Sequence, residues 1–317
     1  METLLRDRPE TAQPPEPLAV SGDTLTEKFV SLCRSGKPFT DIRIEEEEPL
    51  CVHLPSGWQS LGAAPIPLGE MLFLFSQLDK DWEKRLKHGA IDHALDLAEH
   101  RLRCNLFLAD GGRRHVLSIR RLPLKPPSIR ETGLPVYVKD MAERGKGLVI
   151  ISGATGSGKT TTLAALLDHI NQTRNAHIVT IEKPIEYRLR GTRSLISQKE
   201  VGVDVDDFAR GLHDALRQKP DVIMLGEVRD RDTADTLLHA AESGHLVFAT
   251  LHATSAQAAI AKLLSFFPPD ETEQRRFTIA SNLVGVICQC LLPNAREDGW
   301  VLAAEIMMNN AQIAKAI

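Results

Sequence analysis

The sequence predicts an α/β fold in which a parallel sheet forms the larger part and a smaller α+β region precedes it. Helical patterns lie between most of four short apolar runs, at residues 147–152, 177–181, 222–225 and 246–251. Aliphatic runs without polar alternation are typical of strands that helices cover on both faces. A glycine-rich loop joins the first run to a helical pattern, as expected for a strand that leads into a covering helix.

Length, composition and charge narrow the class of protein. The 317 residues are enough for two ordinary domains. Hydrophobic residues make up 43% of the chain and charged residues 25%, which are values of globular proteins rather than disordered or fibrous ones. The formal net charge of -4 does not favour binding to nucleic acid or to acidic lipid.

The five cysteines and the hydropathy pattern favour a reduced, cytoplasmic protein. An odd number of scattered cysteines argues against a disulfide framework. Cys288 and Cys290 stand in an apolar segment with no second pair, so we interpret them as small core residues rather than half of a metal site. No stretch approaches the ~18 apolar residues of a membrane span, and the amino terminus lacks a signal peptide's apolar region. Docking onto a membrane complex through partners remains open.

Changes in composition along the chain predict its domains. Residues 1–22 combine prolines with polar groups and are expected to form a flexible tail. Residues 23–122 mix strand and helix patterns, as in a small α+β domain. The proline-rich segment 123–134 is expected to be a linker, and residues 135–317 the α/β domain. Within the smaller domain we predict helices at 25–36 and 68–88 and strands at 41–44, 51–54, 102–109 and 115–120.

A phosphate-binding loop is the most specific motif. Residues 153–160, GATGSGKT, match G-x-x-x-x-G-K-[ST] in full, after a predicted strand and before a helix expected at 161–170. The glycines allow backbone N–H groups to converge on phosphate oxygens, and the helix amino terminus favours anions. Lys159 is expected to bind the β- and γ-phosphates of ATP, and the Thr160 hydroxyl to bind Mg²⁺. The predicted nucleotide-binding residues of this motif are Gly153, Thr155, Gly156, Ser157, Gly158, Lys159, Thr160 and Thr161.

Two carboxylates follow apolar strands. Strand 222–225 leads to Glu227, and strand 177–181 leads to Glu182. Because the carboxyl ends of parallel strands border the ligand crevice, Glu227 is expected to orient or deprotonate the attacking water, or to hold Mg²⁺ through water. Glu182 is expected to be the second carboxylate for metal or water. The predicted metal ligands are therefore Thr160, Glu182 and Glu227.

Two histidines bracket the strand at 246–251. His252 follows the strand and is expected to sense the γ-phosphate. His245 precedes it and is predicted to contribute to nucleotide binding by bridging to a neighbouring subunit. A structural role is the alternative for each.

The motifs, taken in order, resemble the secretion ATPase superfamily, and within it the PilT-like pilus retraction ATPases. Residues 153–171 resemble that family's phosphate loop and helix, and 177–187 its acidic Asp box. Residues 215–256 resemble the Walker B strand and the His box. Upstream, residues 40–44, 101–105 and 120–123 resemble further family segments.

Membership in this family implies a PAS-like amino-terminal domain, a RecA-like ATPase domain and a hexameric ring with ATP between the two domains. Arg103 and Arg120 match arginines that close over the phosphates, where a guanidinium neutralises developing charge. The resemblance also implies a cytoplasmic motor that associates with the inner membrane through a platform protein.

Some positions depart from the family pattern. Lys183 stands where the pilus proteins usually carry aspartate, and Gly202 where retraction ATPases often have histidine. The zinc-binding CxxC pairs of the type II secretion and pilus-assembly branches are absent, which argues against those branches. Residues 310–317 resemble the start of a signature linked to retraction, which further carboxy-terminal helices normally follow in that family.

The leading hypothesis is therefore an ATP-hydrolysing hexameric motor for type IV pilus retraction, which drives twitching motility. A motor for conjugative transfer or type IV secretion is the close alternative. A nucleic-acid translocase would favour basic stripes and stacking aromatics, whereas only 5% of the residues are aromatic. A non-hydrolysing regulator is favoured only by Lys183, and the presence of Lys159, Thr160, Glu182 and Glu227 argues against it.

Overall fold

The computed structural model describes residues 24–34, 39–97, 100–296 and 299–317, and the tail predicted at 1–22 lies outside them. The chain divides into two compact units. Of the described residues, the first unit comprises 24–34, 39–97 and 102–121, and the second comprises 100–101, 122–296 and 299–317. The predicted mixed α/β class is confirmed. In the described part of the chain, every helix is too short or too polar to span a bilayer.

The first unit is an α+β fold on a six-stranded sheet with the order β3-β2-β1-β6-β5-β4. Strand β1 is antiparallel to both β2 and β6. Its elements are α1 (Leu25–Arg34), β1 (Asp41–Glu45), β2 (Cys51–Leu54), β3 (Gly57–Ser60), α2 (Leu68–Leu78), α3 (Trp82–Leu86), β4 (Ile91–Leu97), β5 (His100–Ala109) and β6 (Arg114–Pro123).

One face of this sheet packs against the helices. In β1, Ile42 and Ile44 are fully buried and alternate with partly exposed residues. Leu32 of α1 and Met71 and Phe75 of α2 are buried in the same core. Alternation of this kind is typical of an antiparallel sheet with one packed and one solvated face.

The helix predicted at 68–88 is divided in two. Helix α2 ends before Asp79, and α3 begins at Trp82. The Asp79 carboxylate accepts a hydrogen bond of 2.8 Å from the backbone N–H of Asp81 and pairs with Arg85. Aspartate side chains form such local hydrogen bonds in competition with the helical backbone. The break is not visible in the sequence, because the amphipathic pattern continues across it.

The second unit is built on a seven-stranded sheet with the order β13-β12-β7-β11-β10-β8-β9. The strand pairs are parallel except for the antiparallel pair of β12 and β13. Its elements are α4 (Lys139–Ala142), β7 (Gly147–Ser152), α5 (Lys159–Thr173), β8 (His177–Glu182), β9 (Leu195–Glu200), α6 (Phe208–Leu216), β10 (Val222–Leu225), α7 (Arg231–Glu242), β11 (Leu246–Leu251), α8 (Ala256–Leu264), α9 (Thr272–Asn282), β12 (Leu283–Pro293), β13 (Trp300–Met308) and α10 (Ala311–Ala316).

The central strands of this sheet are buried on both faces. In β7, Leu148 and Ile150 belong to one hydrophobic core, and Val149 and Ile151 to another. Successive side chains of a strand point to opposite faces, so an unbroken apolar run is what two covered faces require. The parallel strands predicted from the four apolar runs are confirmed.

Two details of the second unit differ from expectation. Within the segment predicted as a linker, Ile129 and Leu134 are buried in the same core as Val149. On β12, Cys288 is buried but Cys290 is exposed, so the interpretation of both as core residues was wrong for Cys290. The apolar residues around the C-x-C segment concealed the point near Cys290 at which β12 emerges from the core.

Candidate active site

The carboxyl ends of four parallel strands meet at one edge of the second sheet. Strand β10 pairs with β8 through Leu225 and Ile181, and β11 pairs with β7 through Leu251 and Ser152. The phosphate loop follows β7 directly. Glu182 ends β8, Glu227 follows β10 and His252 follows β11. The topology therefore brings these four predicted features to the same edge.

A narrow cleft of ≈ 70 Å³ opens at this edge. Its lining is mostly polar or charged, with carboxylates and cations from several strand ends. The residues that line it are Thr160, Leu163, Glu182, Lys183, Pro184, Glu186, Phe208, Met224, Gly226, Glu227 and Arg229.

The phosphate loop depends on glycine at defined points. Gly153 has φ +145°, and a Cβ there would lie 2.2 Å from the carbonyl oxygen of Gln289. Gly158 has φ +86° and is the residue before α5. Helix α5 begins at Lys159, earlier than the predicted start at 161, so Lys159 and Thr160 lie in its first turn. This is the end of a helix at which anions bind favourably.

Lys159 is held over its own loop. Its Nζ donates to the carbonyl oxygens of Gly153, at 2.8 Å, and Ala154, at 2.9 Å. Burial lowers the pKa of Lys159, and the nearby carboxylates of Glu227 and Glu186 oppose that shift. The ammonium group therefore lies at the mouth of the loop, where it is available to phosphate oxygens.

The Glu182 carboxyl is nearly enclosed. Its side chain accepts hydrogen bonds from Thr180 Oγ1, at 2.6 Å, and from Gln198 Nε2, at 3.0 Å. Burial raises the pKa of Glu182 to about 7; these two hydrogen bonds oppose the shift and the charge of Glu186 adds to it. Near neutral pH the group is therefore poised to gain or lose a proton.

Glu227 is held by two neighbours. One carboxylate oxygen lies 3.2 Å from His252 Nε2, and the other lies 2.6 Å from Arg229 Nη2. The Glu227 side chain retains 20% of its exposure, so water reaches it. Arg229 was not singled out from the sequence, although its position two residues after a strand-end carboxylate was an available signal.

The oxygen donors at this edge fit Mg²⁺. Thr160, Glu182 and Glu227 supply a hydroxyl and two carboxylates, the hard ligands that this ion prefers. The buried hydroxyl of Ser157 has no hydrogen-bond partner among the described residues, as expected of a loop that offers polar groups to a ligand. In the described ranges no three His, Cys, Asp or Glu residues form a metal cluster.

His245 lies at the other edge of the sheet. Its carbonyl accepts a 3.0 Å hydrogen bond from Gly147 at the start of β7, and its ring Nδ1 lies 2.9 Å from the carbonyl oxygen of Ala240. Strand β11 separates it from His252, a span on the order of 20 Å at ~3.3 Å per residue. The structure therefore does not bring His245 to the phosphate loop of its own chain. A bridge to a neighbouring subunit stays a prediction.

Arg103 and Arg120 belong to the first unit. Arg103 is half-buried on β5, and Arg120 on β6 donates through Nε to Asp41 Oδ1 at 2.9 Å. Their predicted role at the phosphates stays a prediction.

Three further polar residues support the site and were missed by the sequence analysis. Tyr187 is buried, and its hydroxyl lies 3.0 Å from Thr161 Oγ1 in the first turn of α5. Gln198 bonds Glu182, and Gln289 contacts the phosphate loop. Each of these contacts joins residues from different elements, so the chain order alone does not show it.

A family model, curated relatives and solved structures all match this chain. The model of the family described as type II/IV secretion system protein matches residues 128–314, a range that contains the phosphate loop, Glu182 and Glu227. The uncharacterized protein YggR of Escherichia coli K12 is 39% identical over 276 residues, which are 84% of this chain and 83% of that protein. The type IV pilus retraction ATPase PilT of Pseudomonas aeruginosa is 41% identical over 217 residues, which are 68% of this chain but only 62% of PilT. A crystal structure of the pilus retraction motor PilT with bound ADP matches with a TM-score of 0.81 and 36% identity, over 92% of this chain and 85% of that one.

Proposed function

The chain belongs to the type II/IV secretion system protein family, and we propose that within this family it is an ATPase that powers retraction of type IV pili. The similarity to a pilus retraction ATPase and to a retraction motor with bound ADP supports this function over the other machines that use the fold.

One observation carries the proposal: the phosphate loop and the pair of Glu227 and His252 lie at the same edge of the sheet. The His252 ring nitrogen is 3.2 Å from the Glu227 carboxylate, and both follow strands that neighbour one another. A loop for phosphate and a positioned carboxylate are the parts that hydrolysis of a phosphoanhydride needs. A protein that only bound nucleotide would have no need of the positioned carboxylate.

The phosphate loop and the oxygen donors bind the nucleotide in this proposal. The loop amides and Lys159 hold the phosphates, and Thr160, Glu182 and Glu227 are the residues that would hold Mg²⁺. When bound, the ion neutralises charge on the phosphate oxygens. Glu182 is the less accessible donor, because its carboxyl is buried and hydrogen-bonded to Thr180 and Gln198.

Glu227 acts as the base. A water that attacks the γ-phosphorus gives up a proton, which the Glu227 carboxylate accepts as the bond to the leaving ADP oxygen breaks. His252 and Arg229 fix the orientation of that carboxylate through contacts of 3.2 and 2.6 Å. His252 also responds to the γ-phosphate in this proposal, because it follows β11 at the same edge of the sheet as the phosphate loop.

The working particle in this proposal is a homo-hexamer in the cytoplasm that acts on an inner-membrane platform protein. The second unit is its RecA-like ATPase domain, and the first unit is the PAS-like domain whose movement follows hydrolysis. Direct contact with nucleic acid is not part of the proposed function.

Loss of twitching in the native host tests the assignment to pilus retraction. Deletion of the gene is expected to abolish twitching, and wild-type protein is expected to restore it while the Glu227→Gln variant does not. Glu273→Gln is a matched control, because that side chain is 87% exposed on α9, and it should restore twitching fully. Normal twitching after deletion, with ATPase activity intact in the purified protein, would contradict the retraction role but would still support the assignment as an ATPase.

A further inference from the structure

Gln289 on β12 joins the phosphate loop to the helix that follows it. The residue is only 4% exposed. Its Nε2 donates to the carbonyl oxygen of Ser157 at 2.8 Å, and its Oε1 accepts from Thr162 Oγ1 at 2.9 Å. One buried, uncharged side chain therefore bonds the loop with one end and the first turns of α5 with the other.

The backbone of Gln289 is equally close to the loop. Strand β12 runs parallel to β7, with Cys288 opposite Ser152, so Gln289 is level with the start of the loop. A Cβ on Gly153 would lie 2.2 Å from the Gln289 carbonyl oxygen, and a Cβ on Gly158 would lie 3.2 Å from its Nε2. The first and last glycines of the loop thus pack against the same residue.

We propose that Gln289 is a positioning residue for nucleotide binding, which holds the phosphate loop in the conformation that receives the phosphates. The inference rests on the proposed function, because it concerns the binding and turnover of ATP. It adds a residue that does not touch the nucleotide and acts through Ser157 and Thr162.

The physical reason lies in the peptide group that joins Ser157 to Gly158. In a planar trans peptide the C=O and the N–H point in opposite directions. A hydrogen bond that fixes the Ser157 carbonyl against Gln289 therefore directs the Gly158 N–H away from Gln289, and in the proposal this N–H is the one that serves a phosphate. Without this bond the peptide is free to rotate, and the amide is lost as a phosphate donor for part of the time.

The amide also suits the position better than a charged group. A carboxylate there would face the Ser157 carbonyl and add negative charge close to the bound phosphates. A hydrophobic side chain would leave the Ser157 carbonyl and the Thr162 hydroxyl without partners in a buried place.

A double-mutant cycle tests the proposal on the full chain, with ADP and ATP affinities, kcat and the thermal midpoint as readouts. Gln289→Met preserves volume and removes both bonds, and we expect nucleotide binding to weaken by about tenfold or more. Thr162→Val removes one of the two bonds and should weaken nucleotide binding by about threefold. In the Gln289→Met background, Thr162→Val should add almost nothing, because the partner is already absent.

Gln257→Met is the control, because Gln257 is exposed on α8 and lines a separate cavity shared with α9 and α10, and its affinities should equal those of wild type. A lower thermal midpoint with unchanged nucleotide affinity in Gln289→Met would show a merely structural role and overturn the inference. Additive effects of the two substitutions on nucleotide affinity would overturn the inference as well. If Gln289→Met does not fold, the nucleotide affinity of Thr162→Val alone is the test, and an unchanged affinity would overturn the inference. If wild type itself bound no nucleotide, the proposed function would fail, and this inference with it.

Discussion

Glu182 is a residue of the candidate site whose protonation depends strongly on its surroundings. Its side chain is 5% exposed, and burial raises the pKa to about 7 in spite of two hydrogen bonds. A carboxyl in this condition exchanges its proton near neutral pH, whereas Glu227 is open to water and paired with Arg229 and His252. The two carboxyl groups of the candidate site therefore lie in different environments, which is how proteins assign different roles to paired carboxyls.

The raised pKa of Glu182 predicts a pH dependence of stability. The folded protein holds the proton up to about pH 7, and the unfolded chain releases it near the ordinary value of 4.5, so this group lowers stability as pH rises between these values. Glu182→Gln removes the titration and should stabilise the ligand-free protein at pH 8 by up to about 3 kcal/mol, at roughly 1.4 kcal/mol per pKa unit.

Thermal unfolding of wild type and Glu182→Gln between pH 4.5 and pH 8.5 measures this difference. The gap between their midpoints should widen as pH rises through the window and then level off. Glu273→Gln, at an exposed position, should follow wild type throughout. A constant gap across the range would show that Glu182 does not titrate there.

Motif residues were predictable from the sequence, but the residues that support them were not. Lys159 and Thr160 carry a local pattern, and Glu227 stands next to an apolar strand that indicates its place. Gln198 and Gln289 reach the site only because β9 and β12 pair with β8 and β7. A single sequence does not state that pairing, so neither residue was assigned to the site from it.

Among the elements, the phosphate loop is the most constrained by its neighbours. It follows β7 and lies against β12, so its first glycine has no room for a side chain, whereas a Cβ on Gly156 at the loop tip would meet nothing within 4 Å. Both glycines have positive φ, and only the first also has a steric conflict. The loop conformation is therefore set by packing at its base and by backbone freedom at its tip.

This contrast predicts unequal costs for two alanine substitutions. Gly156→Ala should cost about 1–2 kcal/mol for its left-handed backbone. Gly153→Ala adds a clash with the Gln289 carbonyl, and should destabilise the protein by at least about 2 kcal/mol more and abolish ADP binding. Thermal midpoints and ADP affinities of the two variants measure this, and equal effects would mean that the contact between Gly153 and Gln289 is not rigid.

At the element scale, prediction succeeded where burial is continuous. Strands β7, β10 and β11 are buried along their whole length and β8 along all but its first residue, and their largely apolar sequences predicted them. Strands β9 and β13 lie at the edges of the sheet and contain no fully buried residue, and they were missed. The break between α2 and α3 was missed because the bond made by the Asp79 side chain leaves the amphipathic pattern intact.

At the scale of the whole molecule, two compact units in one chain supply the parts that a motor needs. One unit carries the phosphate loop with its carboxylates, and in the proposed function the second compact unit is the one that moves with hydrolysis. The acidic balance and the scarcity of aromatics fit a motor that works on protein partners. Lys183 of the acidic Asp box is exposed at the cleft, and Glu182 and Glu186 line the same cleft beside it.

Magnesium-dependent ATP hydrolysis by wild type and Glu227→Gln, with the particle mass measured in parallel, tests the central claim most directly. We expect turnover in a particle with the mass of six 35.0 kDa chains, and a loss of about 100-fold or more in Glu227→Gln with ATP still bound. Glu273→Gln should hydrolyse ATP at the wild-type rate. Wild-type protein that binds ATP without turnover, or Glu227→Gln with normal turnover, would contradict the claim that this edge of the sheet is the active site of a motor.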